Sequence, residues 1–137
     1  MVIPRFVGAA LGGRRLEIFG DGNQTRCFCH VQDTIRALAG LMGATGLSGE
    51  IYNVGSQESI SILGLAERVL AATGSRSELT HVPFEEAYGQ GIEDMLHRKP
   101  GLAKIGAAIG WEPTIALDGI LADVIAYERS KPVLVES

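Results

Sequence analysis

Tyr127 and Lys131 stand four residues apart, a spacing that on a helix puts a phenol and an ammonium on one face, where the cation could ready the phenol for proton transfer. Lys131, however, precedes Pro132 in a stretch without periodicity, so the pair is expected to sit at a chain tail and not to form an acid/base couple. Gly40-Leu41-Met42-Gly43-Ala44-Thr45-Gly46 reads G-x-x-G-x-x-G, which cradles a pyrophosphate when it follows a strand and opens a helix. These glycines instead close a predicted helix and lead towards a predicted strand, the reverse orientation. With 18 glycines among 137 residues the pattern also arises readily by chance. Cys27-Phe28-Cys29-His30 offers soft ligands, yet side chains at i and i+2 of a strand point the same way and are poorly placed to bridge. No second Cys/His pair completes a tetrahedral metal site, so two free thiols and no metal are expected. Arg26 and Arg98 carry planar five-donor forks suited to bidentate anion contacts, although most surface arginines merely pair with a carboxylate.

The elements that must position these groups follow from apolar periodicity and turn chemistry. Ile3, Val7, Ala10 and Leu11 fit a first helix that tolerates Pro4 in its opening turn and ends at Gly12-Gly13. Leu16, Glu17, Ile18 and Phe19 alternate as a short strand. Gly20-Asp21-Gly22-Asn23 is a turn, and residues 26–31 read as a second extended stretch. Asp33 suits the N-cap of a helix whose inner face is Ile35, Leu38, Ala39 and Met42. Residues 50–54 read as a strand. Ser59 or Ser61 then starts the clearest helix, with Ile62, Leu65, Ala66, Val69 and Leu70 inward and Gly74 as its stop. Beyond an extended piece at 79–82, residues 85–94 form an acidic, glycine-bearing loop and a candidate binding segment. A modest helix carries Leu102, Ile105 and Ile109. After Trp111-Glu112-Pro113 a last helix turns Leu117, Ile120, Leu121 and Val124 to one side, and the tail 131–137 has no period.

The length suits one compact domain. Twelve Lys+Arg against 16 Asp+Glu give a net charge of -4, which supplies no basic field for a nucleic-acid backbone. No apolar run approaches the roughly 20 residues that span a bilayer, and no signal-peptide pattern opens the chain, so a cytoplasmic protein with no membrane or nucleic-acid partner is expected.

Three stretches occur in order: Gly20-Asp21-Gly22-Asn23-Gln24-Thr25-Arg26-Cys27-Phe28-Cys29-His30-Val31-Gln32-Asp33, then Gly49-Glu50-Ile51-Tyr52-Asn53-Val54-Gly55, then Gly110-Trp111-Glu112-Pro113. Together they resemble the C-terminal half of the NAD-dependent epimerase/dehydratase family, the extended short-chain dehydrogenase/reductases that act on nucleotide sugars. In that family a GDGxQxRxFxxVxD-like stretch, a G-x-x-Y-N-x-G strand and a G-W-x-P before the last helix follow one another in this order. The resemblance runs from about residue 2 to 128, and three ordered motifs are far more specific than any one alone. Val2-Ile3-Pro4-Arg5-Phe6 is similar to the family's helix just after its substrate-gripping Asn-x-x-Gly-Pro region, which would lie upstream of Met1.

The resemblance implies a mixed α/β fold: one substrate-binding domain over 1–137, a few of whose strands would complete a Rossmann sheet, with the NAD-binding Rossmann domain not included. It gives Arg26 to the diphosphate of the sugar nucleotide and Arg98 to a second grip on the same group. Leu16, Glu17, Ile18 and Phe19 would receive the nucleobase, through backbone groups and a stacking ring. Asp33 and Asn53 are expected to tie backbone and not to touch ligand. The resemblance further implies NAD as cofactor of the full-length enzyme, none for this chain alone, no catalytic residue here, and a UDP- or dTDP-sugar as ligand. An epimerase is the leaning. A UDP-glucuronate decarboxylase, a dTDP-glucose 4,6-dehydratase or a non-catalytic oligomerising module are the alternatives. Strands cut from their sheet leave an apolar edge, so a homo-oligomer or pairing with the missing N-terminal half is expected.

Overall fold

Helix α1 (Val2–Leu11) starts with Pro4 in its first turn, where a missing N–H costs nothing, and stops at Gly12. Its inner face is Ile3, Phe6, Val7, Ala9 and Ala10, all buried. The computed structural model describes residues 1–83, 85–86 and 95–131. The candidate loop at 85–94 therefore lies, apart from Glu85 and Glu86, outside the described residues, as does the tail beyond Lys131. In chain order the remaining elements are β1 (Leu16–Phe19), β2 (Thr25–Cys27), α2 (Val31–Gly43), β3 (Ser59–Ser61), α3 (Ile62–Thr73), β4 (Leu79–Val82), α4 (Ala103–Ile109) and α5 (Leu117–Ser130). This is the mixed α/β fold the resemblance implies, with parallel pairing where a sheet register is defined.

The chain divides into two compact units. The first comprises Met1–Gln24, Ser61–Asp94 and Leu121–Ser137. Here β1 pairs in parallel with β4, Leu16 opposite Leu79 and Phe19 opposite Val82. Leu16 and Ile18 point inward with no exposure, while Glu17 faces out and Phe19 is half-buried. Helix α3 presents Leu65, Ala66 and Val69 to the same core. Its start is fixed by the glycine turn. Ser61 Oγ accepts the Gly64 N–H, and two further N–H groups that open the helix, those of Ile62 and Leu63, donate to the carbonyls of Gln24 and Gly22. Asp21 closes the turn by accepting the backbone and side-chain N–H groups of Asn23, and the bond from that backbone N–H leads the effects that hold its carboxyl below the usual range. Gly22 is required twice over: its φ is +76°, and a Cβ would lie 2.8 Å from Ile18 Cγ2.

The second unit comprises Thr25–Ile60 and Met95–Ile120. Its core is Ala37, Ile105 and Trp111, with Cys29, Leu41, Tyr52, Val54, Leu102 and Ile109 packed around them. Three expectations are corrected here. Helix α2 begins at Val31, capped by His30 and not by Asp33: His30 Nδ1 accepts the Gln32 N–H, so the extended stretch stops at Cys27. The face expected to be buried is turned outward, with Ile35, Leu38 and Met42 at 58%, 53% and 87% exposure and Ala39 also exposed. The opposite face, Asp33, Ala37 and Leu41, packs inward. Residues 50–54 form no strand, since no ladder partner exists for them among the described residues. Side chains hold this region instead, with Asn53 Nδ2 reaching the Gly101 carbonyl at 3.5 Å and Gln57 Nε2 donating to the Pro100 carbonyl at 2.7 Å.

Candidate functional site

Within the second unit, Arg26 on β2 lies beside the segment that carries Arg98. Thr25 N–H donates to the Leu96 carbonyl at 2.8 Å, Thr25 forms a parallel bridge with His97, and Thr25 Oγ1 and His97 Nδ1 are hydrogen-bonded at 3.1 Å. Arg26 is half-buried, and its Nη1 donates to the carbonyls of Thr25 and Met95, both at 2.8 Å. Arg98 is exposed. Two arginines 72 positions apart in sequence therefore stand on neighbouring extended segments, and the better buried one is pinned by backbone carbonyls. A guanidinium held in this way presents its fork with less entropy to lose on meeting an anion.

Within the first unit, Leu16, Glu17, Ile18 and Phe19 do form the expected strand. An open cleft of about 860 Å³ runs past Leu16 and Glu17 and is lined also by Arg5, Phe6 and Arg14. The Phe19 ring already has a neighbour: the Arg5 guanidinium lies 4.1 Å over its centroid and also donates to the Glu17 carbonyl at 2.9 Å. The alternation that identified the strand carries no information about Arg5, which belongs to a different helix.

Asp33 does tie backbone, although not as a cap. Its carboxylate is fully buried and accepts from Arg36 at 2.6 Å, from the Thr114 and Ile115 N–H groups at 3.0 Å and from Thr114 Oγ1 at 2.9 Å. Its carbonyl accepts the Trp111 indole N–H at 3.0 Å. Burial pushes the carboxyl up, but the Arg36 bond and the Thr114 and Ile115 donors outweigh it and hold the pKa at about 2.

Neither the glycine pattern at 40–46 nor the Tyr127–Lys131 pair has the geometry its chemistry would need. Gly40 and Gly43 lie inside α2, and a Cβ on Gly40 would meet Ile109 Cδ1 at 2.8 Å, so that glycine serves helix packing. Tyr127 is 63% exposed, and Lys131 pairs with Glu128 at 2.6 Å with its ammonium 4.8 Å over the Tyr127 ring. The ring face, not the phenolic oxygen, meets the lysine. Cys27 and Cys29 are half-buried free thiols. Among the described residues no cluster of His, Cys, Asp or Glu could hold a metal ion, and no helix is long and apolar enough to cross a membrane.

Comparison with known proteins gives concordant matches. The model of the NAD dependent epimerase/dehydratase family matches residues 1–55. The chain is 39% identical over 128 residues to a UDP-N-acetyl-alpha-D-glucosaminuronate decarboxylase of Bacillus cytotoxicus, covering 93% of this chain and 40% of that protein. Its structure is similar to that of a UDP-glucose 4-epimerase of Thermotoga maritima solved with UDP-glucose, with a TM-score of 0.84 and 26% identity over 94% of this chain and 39% of the other. It is similar also to MoeE5 in complex with UDP-glucose and NAD, with a TM-score of 0.83 and 26% identity over 94% and 41% of the two chains. The chain thus spans about two fifths of the length of these three proteins.

Proposed function

The chain belongs to the NAD-dependent epimerase/dehydratase family, and from that premise we propose that it holds the nucleotide sugar for an enzyme whose cofactor-binding residues are not among those described here. Its work is positioning: binding energy from diphosphate and base, remote from the reacting carbons, fixes the sugar where the chemistry occurs. Arg26 grips the diphosphate, Arg98 closes on the same group, and the outer edge of β1 with Phe19 receives the base. The observation that supports this reading best is the parallel bridge of Thr25 with His97, which sets Arg26 and Arg98, from distant parts of the sequence, on adjacent segments. The NAD partner belongs to the remainder of such an enzyme.

The 39% identity to a UDP-N-acetyl-alpha-D-glucosaminuronate decarboxylase exceeds the 26% identity to either of the two structures solved with UDP-glucose, and this favours a UDP-linked uronic acid over a neutral hexose as the substrate. Arg26→Ala is expected to weaken UDP-sugar binding roughly tenfold to a hundredfold, the loss of one charge-assisted contact to phosphate. Saturation-transfer NMR with UDP-glucuronate reads this directly, and an undiminished signal in the variant rules out the diphosphate role of Arg26.

We also propose that two copies of the chain associate through α2. Val31, Ile35, Leu38 and Met42 are spaced 4, 3 and 4 apart and are 53–87% exposed, which makes a self-complementary apolar seam. The same unit exposes Ile51 at 83%. A stripe of this kind is uncommon on a surface that faces water alone.

A further inference from the structure

The outward edge of β1 is held by a residue that comes from α1. Leu16 N–H donates to the Glu78 carbonyl and Gly20 N–H to the Val82 carbonyl, so in a parallel ladder the backbone groups of Glu17 and Phe19 face the other way. Among the described residues β1 pairs with β4 alone, so that second edge carries no strand. Two side chains use its carbonyls: Arg5 Nη2 donates to the Glu17 carbonyl at 2.9 Å, and Gln24 Nε2 donates to the Phe19 carbonyl at 3.0 Å. The Arg5 guanidinium also covers the Phe19 ring at 4.1 Å. A pyrimidine entering from the cleft beside Leu16 and Glu17 seeks an acceptor for its imide N–H and an aromatic face on which to stack. Arg5 holds one of each.

We propose that Arg5 is an internal competitor for the nucleobase, so that a pyrimidine nucleotide binds by displacing this guanidinium from the Glu17 carbonyl and the Phe19 ring. The inference rests on the functional reading above and adds to it the residue that sets base affinity. Arg5 is exposed and joined to a packed helix through a long, flexible stem, so it can swing into water while α1 stays in place. The base then takes the acceptor and the ring, and the guanidinium is rehydrated. Release of one exposed cation–π contact sets the size of the effect at roughly two- to fivefold in affinity.

Calorimetric titration of the chain with UMP and, separately, with inorganic pyrophosphate tests this. Arg5→Ala is expected to bind UMP roughly two- to fivefold more tightly than wild type and pyrophosphate equally well. Arg5→Lys should fall between them, because an ammonium can reach the carbonyl but cannot lie flat on the ring, and it carries the test if the alanine variant does not fold. UMP affinity that is unchanged or weaker in both variants, with a lowered Tm, would make Arg5 a tether between α1 and β1 and overturn the proposal. A wild-type chain that binds neither ligand sinks the functional reading as well, whereas one that binds both and is indifferent to Arg5 sinks this inference alone.

Discussion

Asp33 ties the start of α2 to residues some 80 positions later, and it does so as an anion. Its folded pKa of about 2 lies below the ordinary carboxyl value of 3.8, so the carboxylate adds stability that is fully present above about pH 4 and is lost as pH falls towards 2. The difference corresponds to about 2 kcal/mol. Asp33→Asn should therefore lose about 2 kcal/mol at neutral pH and show a flatter decline between pH 4 and pH 2 than the parent, as measured by urea unfolding at a series of pH values. Equal slopes in the two proteins would show that the carboxyl titrates normally in the fold. The sequence marks Asp33 as a backbone-tying residue from its type and place, but not its partners. Thr114, Ile115 and Trp111 are brought to it by tertiary packing, which no local pattern announces. Arg26 is singled out for another reason, since it sits in a motif stretch that the family resemblance aligns, whereas Arg98 lies outside the three stretches and is matched more loosely. Arg5 belongs to α1, eleven residues before the strand begins, and its grip on Phe19 arises only from the packing of α1 beside β1.

The elements that sequence located well are those whose ends carry their own chemistry. Ser61 and Gly74 bound α3 as expected, and the glycine turn before β2 feeds the first N–H groups of that helix. Gly22→Ala should cost about 2 kcal/mol, combining a left-handed backbone with a Cβ placed 2.8 Å from Ile18. Gly8→Ala, in the interior of α1 with nothing within 4 Å of the added carbon, should instead gain about 0.5–1 kcal/mol. Thermal unfolding of both variants separates conformational need from helix propensity, and a Gly22→Ala protein as stable as the parent would remove the turn from its structural role. Two elements differ from the sequence expectation for one physical cause. Periodicity finds an apolar face without saying what covers it, so Ile35, Leu38 and Met42 suggest an inner face for α2, whereas Asp33, with its hydrogen-bond partners, and Ala37 face the core. Residues 50–54 have strand-like composition, but a strand needs a ladder partner, and among the described residues none is present.

For the molecule as a whole, the outward face of α2 is therefore a statement about partners. Val31, Ile35, Leu38 and Met42 make one continuous stripe on a chain whose net charge of -4 otherwise keeps copies apart. Burying that stripe against its own symmetry mate removes apolar area from water on both copies at once, while a stable interface requires about 800 Å² from each partner. Four side chains contribute part of that area, so surface beyond the helix must join it, and the association is expected to be of micromolar strength and favoured by salt, which screens the like charges. Leu38→Glu puts a carboxylate at the centre of the stripe, where two-fold symmetry sets it near its own copy, and the side chain is already half exposed, so the fold should tolerate it. Sedimentation velocity at micromolar concentration should show the parent chain as a dimer or larger species and the variant as a monomer with unchanged helicity. A parent that sediments as a monomer across that range, or a variant that associates as the parent does, would remove α2 as the contact between copies.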